Sequence, residues 1–223
     1  MEKYERTELV IGKKKLSKLN DSNVLIVGLG GVGSFVAEAI ARGGIGNITV
    51  MDGDVIDITN INRQLIAYSN NVGISKAIAM EKRIKDINPS IKVNALNEFY
   101  NKDSKINLME FDYVVDAIDS IDDKLNLIEV CSEDEIKIIS SMGAAGKIRN
   151  DGFEIADISE TSVCPLAKKI RKELKSRGIE HLKVVYSKEK TIINEGRLGS
   201  MSYVPGVLGL IMAGEVIREL GGI

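Results

Sequence analysis

A cluster of glycines directly after an apolar run constrains this chain more than any other feature. Residues 24–27 are apolar and mostly β-branched, as a buried strand requires, and Gly28, Gly30 and Gly33 follow at the G-x-G-x-x-G spacing. A helical pattern begins immediately afterwards. The segment therefore predicts a strand, a tight turn and a helix whose N-terminus faces the turn and favours an anion there.

Each glycine of the predicted turn has a physical role. We expect Gly28 to allow the sharp exit from the strand, Gly30 to let the backbone approach a phosphate, and Gly33 to let the helix pack against the sheet. Asp52 ends the next predicted strand about 20 residues later, where a carboxylate can hold a ribose hydroxyl. The spacing alone does not distinguish ATP from a dinucleotide, and a purely structural glycine turn would share it.

Composition places the chain among globular proteins, with 44% hydrophobic and 28% charged residues. Its first residues lack the pattern of a secretory leader, and the apolar run 204–217 is too short and too interrupted to cross a membrane. We therefore expect a cytoplasmic protein with no spanning segment. Cys131 and Cys164 are its two cysteines, which cannot form a four-cysteine zinc site.

Strand and helix patterns alternate up to residue 146, with a short helix expected at 103–109. Besides 24–27, the predicted strands are 47–51, 91–95, 113–119 and 137–141. This alternation predicts an α/β fold, Rossmann-like and doubly wound around a mainly parallel sheet, in a single domain. We divide it into an N-terminal helical arm (1–22), a Rossmann-like core that would bind the nucleotide (23–146) and an antiparallel C-terminal extension (147–223).

The extension has a different pattern from the core. Residues 147–158 predict an antiparallel hairpin that turns at 150–152, and Pro165 begins a helix. Residues 182–186 and 201–204 predict two further strands, and 207–220 predict a closing, mostly buried helix.

A basic tract lies within the extension. Between residues 165 and 190, nine Lys and Arg accompany three Glu, a net charge of +6, which leaves −8 for the rest of a chain whose net charge is −2. The predicted helix carries Lys168, Lys169, Arg171, Lys172 and Lys175. The tract is either a binding surface for a polyanion or an ordinary solvated helix face.

Three charged residues lie near the predicted turn. Arg63 stands among amides beyond the second strand and can reach back across a nucleotide. Lys76 opens a helix, where the dipole disfavours a cation, so it is either a phosphate ligand or a surface lysine. Asp119 ends the predicted fourth strand, where it either holds Mg²⁺ or caps the next helix, a role that Ser120 could also fill.

Five motifs stand in the order and spacing of the ThiF/MoeB/HesA superfamily of adenylating enzymes, related to ubiquitin activation. They are GLGGVGS at 28–34, Asp52, NINRQ at 60–64, GISK at 73–76 and DAID at 116–119. Within it, the chain most resembles the tRNA threonylcarbamoyladenosine dehydratase branch. That likeness rests on RTEL at 6–9, NP at 88–89, DISET at 157–161 ahead of PLA at 165–167, and RKELK at 171–175.

The resemblance implies ATP-Mg²⁺ chemistry on a carboxylate. The threonylcarbamoyl carboxylate of a tRNA adenosine would attack the α-phosphate to form an acyl-adenylate, and ring closure would expel AMP with net loss of water. The alternative within the superfamily is an activator of a ubiquitin-like or sulfur-carrier protein, which often carries paired zinc-binding cysteines that this chain lacks. An NAD-dependent oxidoreductase is the third possibility; Arg63 with Lys76 and the lone His181 argue against it.

The resemblance also assigns residues. The implied ATP-binding residues are Gly28, Gly30, Gly31, Gly33, Asp52, Asp54, Asn60, Asn62, Arg63, Gln64, Lys76 and Asp119. Arg63, Lys76 and Asp119 would be catalytic, with Asp119 holding Mg²⁺ through ATP. Arg6 would reach the partner subunit's ATP in a homodimer.

The remaining implications concern partners. For a tRNA substrate, Lys168, Lys169, Arg171, Lys172 and Lys175 become the candidate RNA-binding residues. The resemblance implies functional contact with a cysteine desulfurase system in some organisms and leaves open a monovalent cation near the site. Cys164 stands at a helix start, where a thiolate would be stabilised, although a small buried apolar residue is the alternative.

Overall fold

The structure, a computed structural model, describes residues 2–223, which form seven α-helices and seven β-strands. The helices are α1 (Glu5–Ile11), α2 (Lys13–Asp21), α3 (Gly33–Gly43), α4 (Lys76–Ile87), α5 (Ile121–Glu133), α6 (Pro165–Ser176) and α7 (Val204–Gly221). The strands are β1 (Asn23–Val27), β2 (Asn47–Met51), β3 (Lys92–Leu96), β4 (Tyr113–Asp116), β5 (Ile138–Ser141), β6 (Phe153–Asp157) and β7 (Lys183–Ser187).

The strands form one sheet in the order β3-β2-β1-β4-β5-β7-β6. Every neighbouring pair is parallel except β6 and β7, which are antiparallel. This confirms the predicted α/β class, with its mainly parallel sheet and antiparallel C-terminal part. Because the carboxyl ends of parallel strands meet at one edge, the loops after β1, β2 and β4 lie side by side there.

Helices cover both faces of the sheet. Val24 and Ile26 of β1 pack into the largest apolar cluster with α3, α4 and α7, whereas Leu25 and Val27 face the cluster that includes α5. A third cluster joins α5 and α6 over β7. Strands buried on both faces explain why their sequences are nearly continuous apolar runs.

The N-terminal arm is two short helices that meet at Gly12, where φ is +82°. Leu16 and Leu19 of α2 are buried, whereas no residue of α1 is buried. At the other end of the chain, α7 packs along α3. Within residues 2–223, no helix is both long enough and apolar enough to cross a bilayer.

The predicted hairpin over 147–158 is wrong. Residues 147–149 are not a strand, and β6 pairs instead with β7, about 30 residues later. The backbone N–H groups of Ile148 and Arg149 donate to the carboxylate of Glu189, at 3.0 and 3.1 Å. A side chain therefore satisfies the donors that a strand partner would have bonded.

Two smaller expectations are also wrong. Residues 201–203 are not a strand; Tyr203 precedes α7, and Pro205 lies in the first helical turn, where its fixed φ suits a helix. The expected helix at 103–109 shortens to a 3₁₀ turn, Leu108–Glu110. The Asn107 side chain accepts a hydrogen bond from the backbone of Met109, a local alternative to helical bonding.

Candidate nucleotide-binding site

The turn between β1 and α3 depends on two glycines. Gly28 has φ of +91°, and a Cβ there would lie 2.5 Å from the carbonyl oxygen of Ala117. A Cβ on Gly33 would overlap the carbonyl oxygen of Gly28. These two positions therefore confirm the predicted sharp turn and the close packing of the helix against the strand.

Gly30 differs because nothing fills the space beside it. The nearest atom to a Cβ built there is Nε2 of Gln64, at 4.0 Å. Gln64 is buried, and its Oε1 is the one buried side-chain polar atom without a hydrogen-bond partner in residues 2–223. An unpaired buried acceptor costs about 1–3 kcal/mol. The unpaired oxygen can accept a hydrogen bond only from a donor such as a ligand hydroxyl or amino group. The open space beside Gly30 fits the predicted close approach of a nucleotide.

Gly31 brings the start of α7 to the turn. A Cβ on Gly31 would lie 2.9 Å from Cβ of Pro205 and 3.4 Å from the carbonyl oxygen of Arg63. The residue thus has a packing role, alongside the nucleotide-binding role that the sequence predicts.

Asp52 holds the turn in place. Its carboxylate accepts hydrogen bonds from the backbone N–H of Leu29, at 2.6 Å, and of Asp54, at 2.8 Å. Burial raises the pKa of Asp52 and outweighs the opposing effect of these two bonds. The carboxylate therefore lies beside the glycine turn, where the sequence predicts contact with a ribose.

Lys76 is buried, so its interpretation as a surface lysine is wrong. Its Nζ lies 2.6 Å from Oδ2 of Asp54 and 4.0 Å from Oδ2 of Asp52, and its backbone N–H donates to the carbonyl of Asp54. The side chain of Asp54 is half-exposed. The structure thus places a buried cation between two carboxylates at the carboxyl end of β2.

The loop that carries Arg63 is ordered by its own side chains. Asp57 and Asn60 form a reciprocal capping box around a 3₁₀ turn. Nη1 of Arg63 donates to the carbonyl of Thr59, at 2.8 Å, and to Oδ1 of Asn62, at 3.0 Å. These two bonds use Nη1, and Nε and Nη2 have no partner among the described residues. The guanidinium can therefore still bind a phosphate.

Asn62 connects this loop to the C-terminal part of the chain. Its Nδ2 donates to the carbonyl of Ser200 at 3.1 Å. The segment just before α7 thus borders the candidate site, which sequence analysis did not predict. Pro205 was the available signal, since it marks a helix start close behind.

Asp119 follows β4 as an exposed side chain. Neither Asp119 nor Ser120 caps α5 with a side-chain bond, so the capping alternative is wrong. No group of three His, Cys, Asp or Glu in residues 2–223 could hold a metal ion. A single carboxylate fits Mg²⁺ that takes its other ligands from nucleotide phosphates and water.

The sequence comparison decides the family. A model of the ThiF family matches residues 4–223. The chain belongs to the ThiF family. The tRNA threonylcarbamoyladenosine dehydratase of Bacillus subtilis is 42% identical over 99% of this chain and 95% of its own length. The Escherichia coli protein of the same name is 40% identical over 78% of this chain and 66% of its own.

A solved structure agrees with this assignment. The E. coli tRNA N6-threonylcarbamoyladenosine dehydratase TcdA, in complex with ATP, superposes on this ThiF-family chain with a TM-score of 0.92 at 33% identity. The match covers 99% of this chain and 94% of the other. The structural likeness therefore extends over the N-terminal arm, the sheet and the C-terminal extension together.

The basic helix α6 has a buried apolar face and an exposed basic face. Ala167, Ile170 and Leu174 are buried, whereas Lys168, Lys169, Lys172 and Lys175 are all exposed. Arg171 is different because its Nη1 donates to the carbonyls of Ile158 and Thr161. Four of the five predicted RNA-binding residues thus face solvent, and the fifth anchors a neighbouring turn.

The two cysteines of this ThiF-family chain are buried free thiols. Cys164 is 2% exposed and precedes α6, and burial raises the pKa of Cys131 to about 12. Nucleophilic cysteines need access and a low pKa. The burial of Cys164 favours its interpretation as a small core residue.

Proposed function

We propose that this chain is an ATP-dependent tRNA threonylcarbamoyladenosine dehydratase. It adenylates the carboxylate of threonylcarbamoyladenosine in tRNA and cyclises the product, with net loss of one water. The observation that carries this proposal is the likeness to the B. subtilis dehydratase over nearly the full length of both chains. The chemistry of the candidate site supports it independently.

The glycine turn suits ATP. Gly30 leaves the backbone open to the phosphates, and Nε2 of Gln64, a hydrogen-bond donor, borders that space. The triphosphate would offer Lys76 an anion in addition to the carboxylates of Asp52 and Asp54, and Arg63 would bind the triphosphate with its unused nitrogens. Two positioned cations stabilise the charge that develops on the phosphoryl oxygens during transfer. We assign Arg63 and Lys76 this role.

Magnesium is the metal ion that this donor set fits. Asp119 offers one exposed carboxylate at the carboxyl edge of the sheet, next to the β1 turn. Mg²⁺ bound to a nucleotide needs one or two protein carboxylates. The ion would supply charge neutralisation on the phosphates, and Asp119 would hold it there. The family resemblance adds a monovalent cation and contact with a cysteine desulfurase as further expectations.

The exposed lysines of α6 form the proposed tRNA surface. They are Lys168, Lys169, Lys172 and Lys175. Lysine contacts to phosphates give affinity without base specificity and make binding dependent on salt. A tRNA substrate and two buried free thiols are both consistent with the cytoplasm, where we place the protein.

We propose a homodimer because two parts of the chain leave large apolar side chains exposed. Leu9 is 72% exposed and Val10 83%, on a helix that buries nothing. The segment between β2 and α4, together with the first turn of α4, exposes seven more large apolar side chains: Val55, Ile58, Ile61, Tyr68, Val72, Ile74 and Ile78. Arg6 is exposed on α1, the helix that also carries Leu9 and Val10. A residue that acts in the site of a partner subunit would be exposed in this way.

The test is a mass spectrum of nucleosides from tRNA that carries threonylcarbamoyladenosine, after incubation with the protein and ATP-Mg²⁺. We expect that nucleoside to lose one water only when ATP is present. If the nucleoside stays intact and ATP–pyrophosphate exchange requires an added ubiquitin-like protein, the dehydratase proposal is wrong and the chain activates a carrier protein.

A further inference from the structure

A fully buried ion pair lies beneath the loop that carries Asp119. Nζ of Lys124, in the first turns of α5, lies 2.7 Å from Oδ2 of Asp116, the last residue of β4. Both side chains are 0% exposed. Neither residue belongs to the predicted site, and neither contributes to the nucleotide-binding features described above.

Every polar group of this pair has a partner. Nζ also donates to Oγ of Ser140 and to the carbonyl of Ser141, both at 3.2 Å. Oγ of Ser140 in turn donates to Oδ2 of Asp116 at 2.5 Å. A buried ion pair often stabilises a fold no better than apolar residues of the same size would. The clearer effect of a fully bonded network is to hold its members in one geometry.

The network holds the two ends of the Asp119 loop. The second oxygen of Asp116, Oδ1, accepts a hydrogen bond from the backbone N–H of Ile118 at 3.0 Å. On the other side, the backbone N–H of Lys124 donates to the carbonyl of Ser120 at 3.0 Å. Residues 117–120 are thus hydrogen-bonded to the end of β4 on one side and to the start of α5 on the other. The ion pair between Asp116 and Lys124 links these two ends of the loop.

The same loop also contacts the glycine turn. The backbone N–H of Ala117 donates to the carbonyl of Val27 at 2.8 Å, and its carbonyl oxygen faces Gly28. A shift of this loop would therefore move Asp119 relative to the position of the phosphates.

We infer that Lys124, acting through Asp116 and Ser140, is a positioning residue that sets the Asp119 carboxylate for the nucleotide-bound metal ion. This inference rests on the proposed function, because it takes Asp119 as the magnesium ligand. Outer residues that orient a metal ligand affect metal affinity strongly even though they never touch the ion.

The experiment measures ATP binding by isothermal titration calorimetry, once in EDTA and once in excess Mg²⁺. The ratio of the two Kd values is the metal-dependent gain in affinity. The main variant, Lys124→Met with Asp116→Asn, removes the pair without leaving a lone buried charge. We expect its Kd in EDTA to match that of the wild type and its metal-dependent gain to fall about tenfold.

A second variant and a control separate positioning from stability. Ser140→Ala keeps both charges and removes one hydroxyl, so we expect a smaller fall in the gain, in the same direction. If the double variant does not fold, the metal-dependent gain of Ser140→Ala alone tests the positioning role. The control neutralises another ion pair, Lys183→Met with Glu215→Gln, at the opposite edge of the sheet. We expect that control to lower the Tm and leave the gain unchanged.

Three results would overturn the inference. One is a full metal-dependent gain in a folded Lys124→Met/Asp116→Asn protein or, if that protein does not fold, in Ser140→Ala. Another is an equal fall of the gain in the control pair, since general destabilisation would then explain both. The third is an unchanged gain in Asp119→Asn, which would remove Asp119 from metal binding. The nucleoside assay tests the dehydratase proposal separately, so the two failures are distinguishable.

Discussion

At the scale of single residues, the glycines of one turn have different physical reasons to be glycine. Gly33 has no room for a side chain because the backbone of Gly28 fills that space, whereas Gly30 has open space beside it. One position serves the fold, and the other serves the approach of a ligand. The difference can be measured.

We predict that Gly30→Ala lowers ATP affinity without lowering stability. The new methyl group meets no protein atom closer than 4.0 Å, but it occupies the surface that a phosphate would contact. We expect an unchanged Tm and a rise in Kd of at least about tenfold, measured by calorimetry. Gly33→Ala is the matched control and should not fold. Wild-type ATP affinity in Gly30→Ala would show that the nucleotide does not lie along this turn.

Arg63 is predicted to act on the transition state. Arg63→Ala should abolish adenylation and change ATP affinity by less than about tenfold, because the charge on the transferring phosphoryl group is its main target. ATP–pyrophosphate exchange and ATP binding measure the two effects. Arg42→Ala, which removes an exposed arginine paired with Glu38, is the control and should retain both. Normal turnover in Arg63→Ala would exclude the role.

At the scale of elements, α6 presents a buried apolar stripe and an exposed basic surface. The apolar stripe is required for packing, whereas the lysines are not. Their removal should therefore affect a partner rather than the fold.

We predict that Lys168→Ala, Lys169→Ala and Lys172→Ala together weaken tRNA binding. Because fewer RNA phosphates are then neutralised, the slope of the logarithm of the binding constant against the logarithm of the salt concentration should also flatten. The expected change is up to about 0.9 for each lost contact with a phosphate in a duplex region. Binding is measured by filter retention over a range of salt concentrations. The triple change Lys13→Ala, Lys14→Ala and Lys18→Ala removes the same charge from α2. If both triple variants show the same salt slope as the wild type, the α6 lysines are only a solvated face.

A second element-scale prediction concerns the contact between α7 and β7. Burial alone raises the pKa of Glu215, but hydrogen bonds from Lys183 and Arg218 outweigh it, so the pKa of this carboxyl lies below its ordinary value. A lowered carboxyl pKa stabilises the fold above the unfolded-state pKa, and that stabilisation disappears as the pH falls through the folded-state value. Acid should therefore weaken this contact.

Glu215→Gln is expected to lower the free energy of unfolding by about 1–2 kcal/mol at neutral pH. The difference from wild type should shrink once the pH falls below about 4.3, the ordinary carboxyl pKa. Urea unfolding at several pH values measures it. Glu129→Gln, which breaks a more exposed pair with Arg177, should cost less than about 1 kcal/mol. A difference that grows with acid would contradict the assignment.

At the scale of the whole molecule, the proposed dimer makes two sites that each depend on both chains. Arg6 lies on a helix with no buried residue, while Arg63 lies beside its own chain's glycine turn. Sites assembled across a two-fold axis can be complemented by mixing defective chains.

We predict that Arg6→Ala and Arg63→Ala proteins are each inactive and that their mixture regains activity. Random exchange gives one intact site in each mixed dimer, so about a quarter of the wild-type activity should return. The nucleoside assay measures it, with light scattering to establish the dimer. The doubly substituted chain, Arg6→Ala with Arg63→Ala, is the control and should not be rescued by itself. An inactive mixture would show that Arg6 does not act in the partner's site.

Much of the fold and part of the site follow from local pattern. Buried parallel strands read as apolar runs, and the positions of Gly28 and Gly33 specify a turn whose geometry the structure confirms. Asp52 and Asp119 could be placed at the carboxyl edge of the sheet because each lies at the end of a predicted strand. Such features depend on neighbours close in sequence, so periodicity and spacing reveal them.

Tertiary structure decided what depends on distant partners. Glu189 replaces the expected hairpin strand by bonding Ile148 and Arg149, and Arg171 turns inward to the 158–161 turn. No local pattern reveals that Lys124 meets Asp116 and Ser140, or that Oε1 of the buried Gln64 has no hydrogen-bond partner. The sequence by itself determined the order of the parallel strands β1 to β5 and the glycine turn, because hydrogen bonding and burial within an element are local. Packing between elements determined which polar groups are paired and which remain free for a ligand.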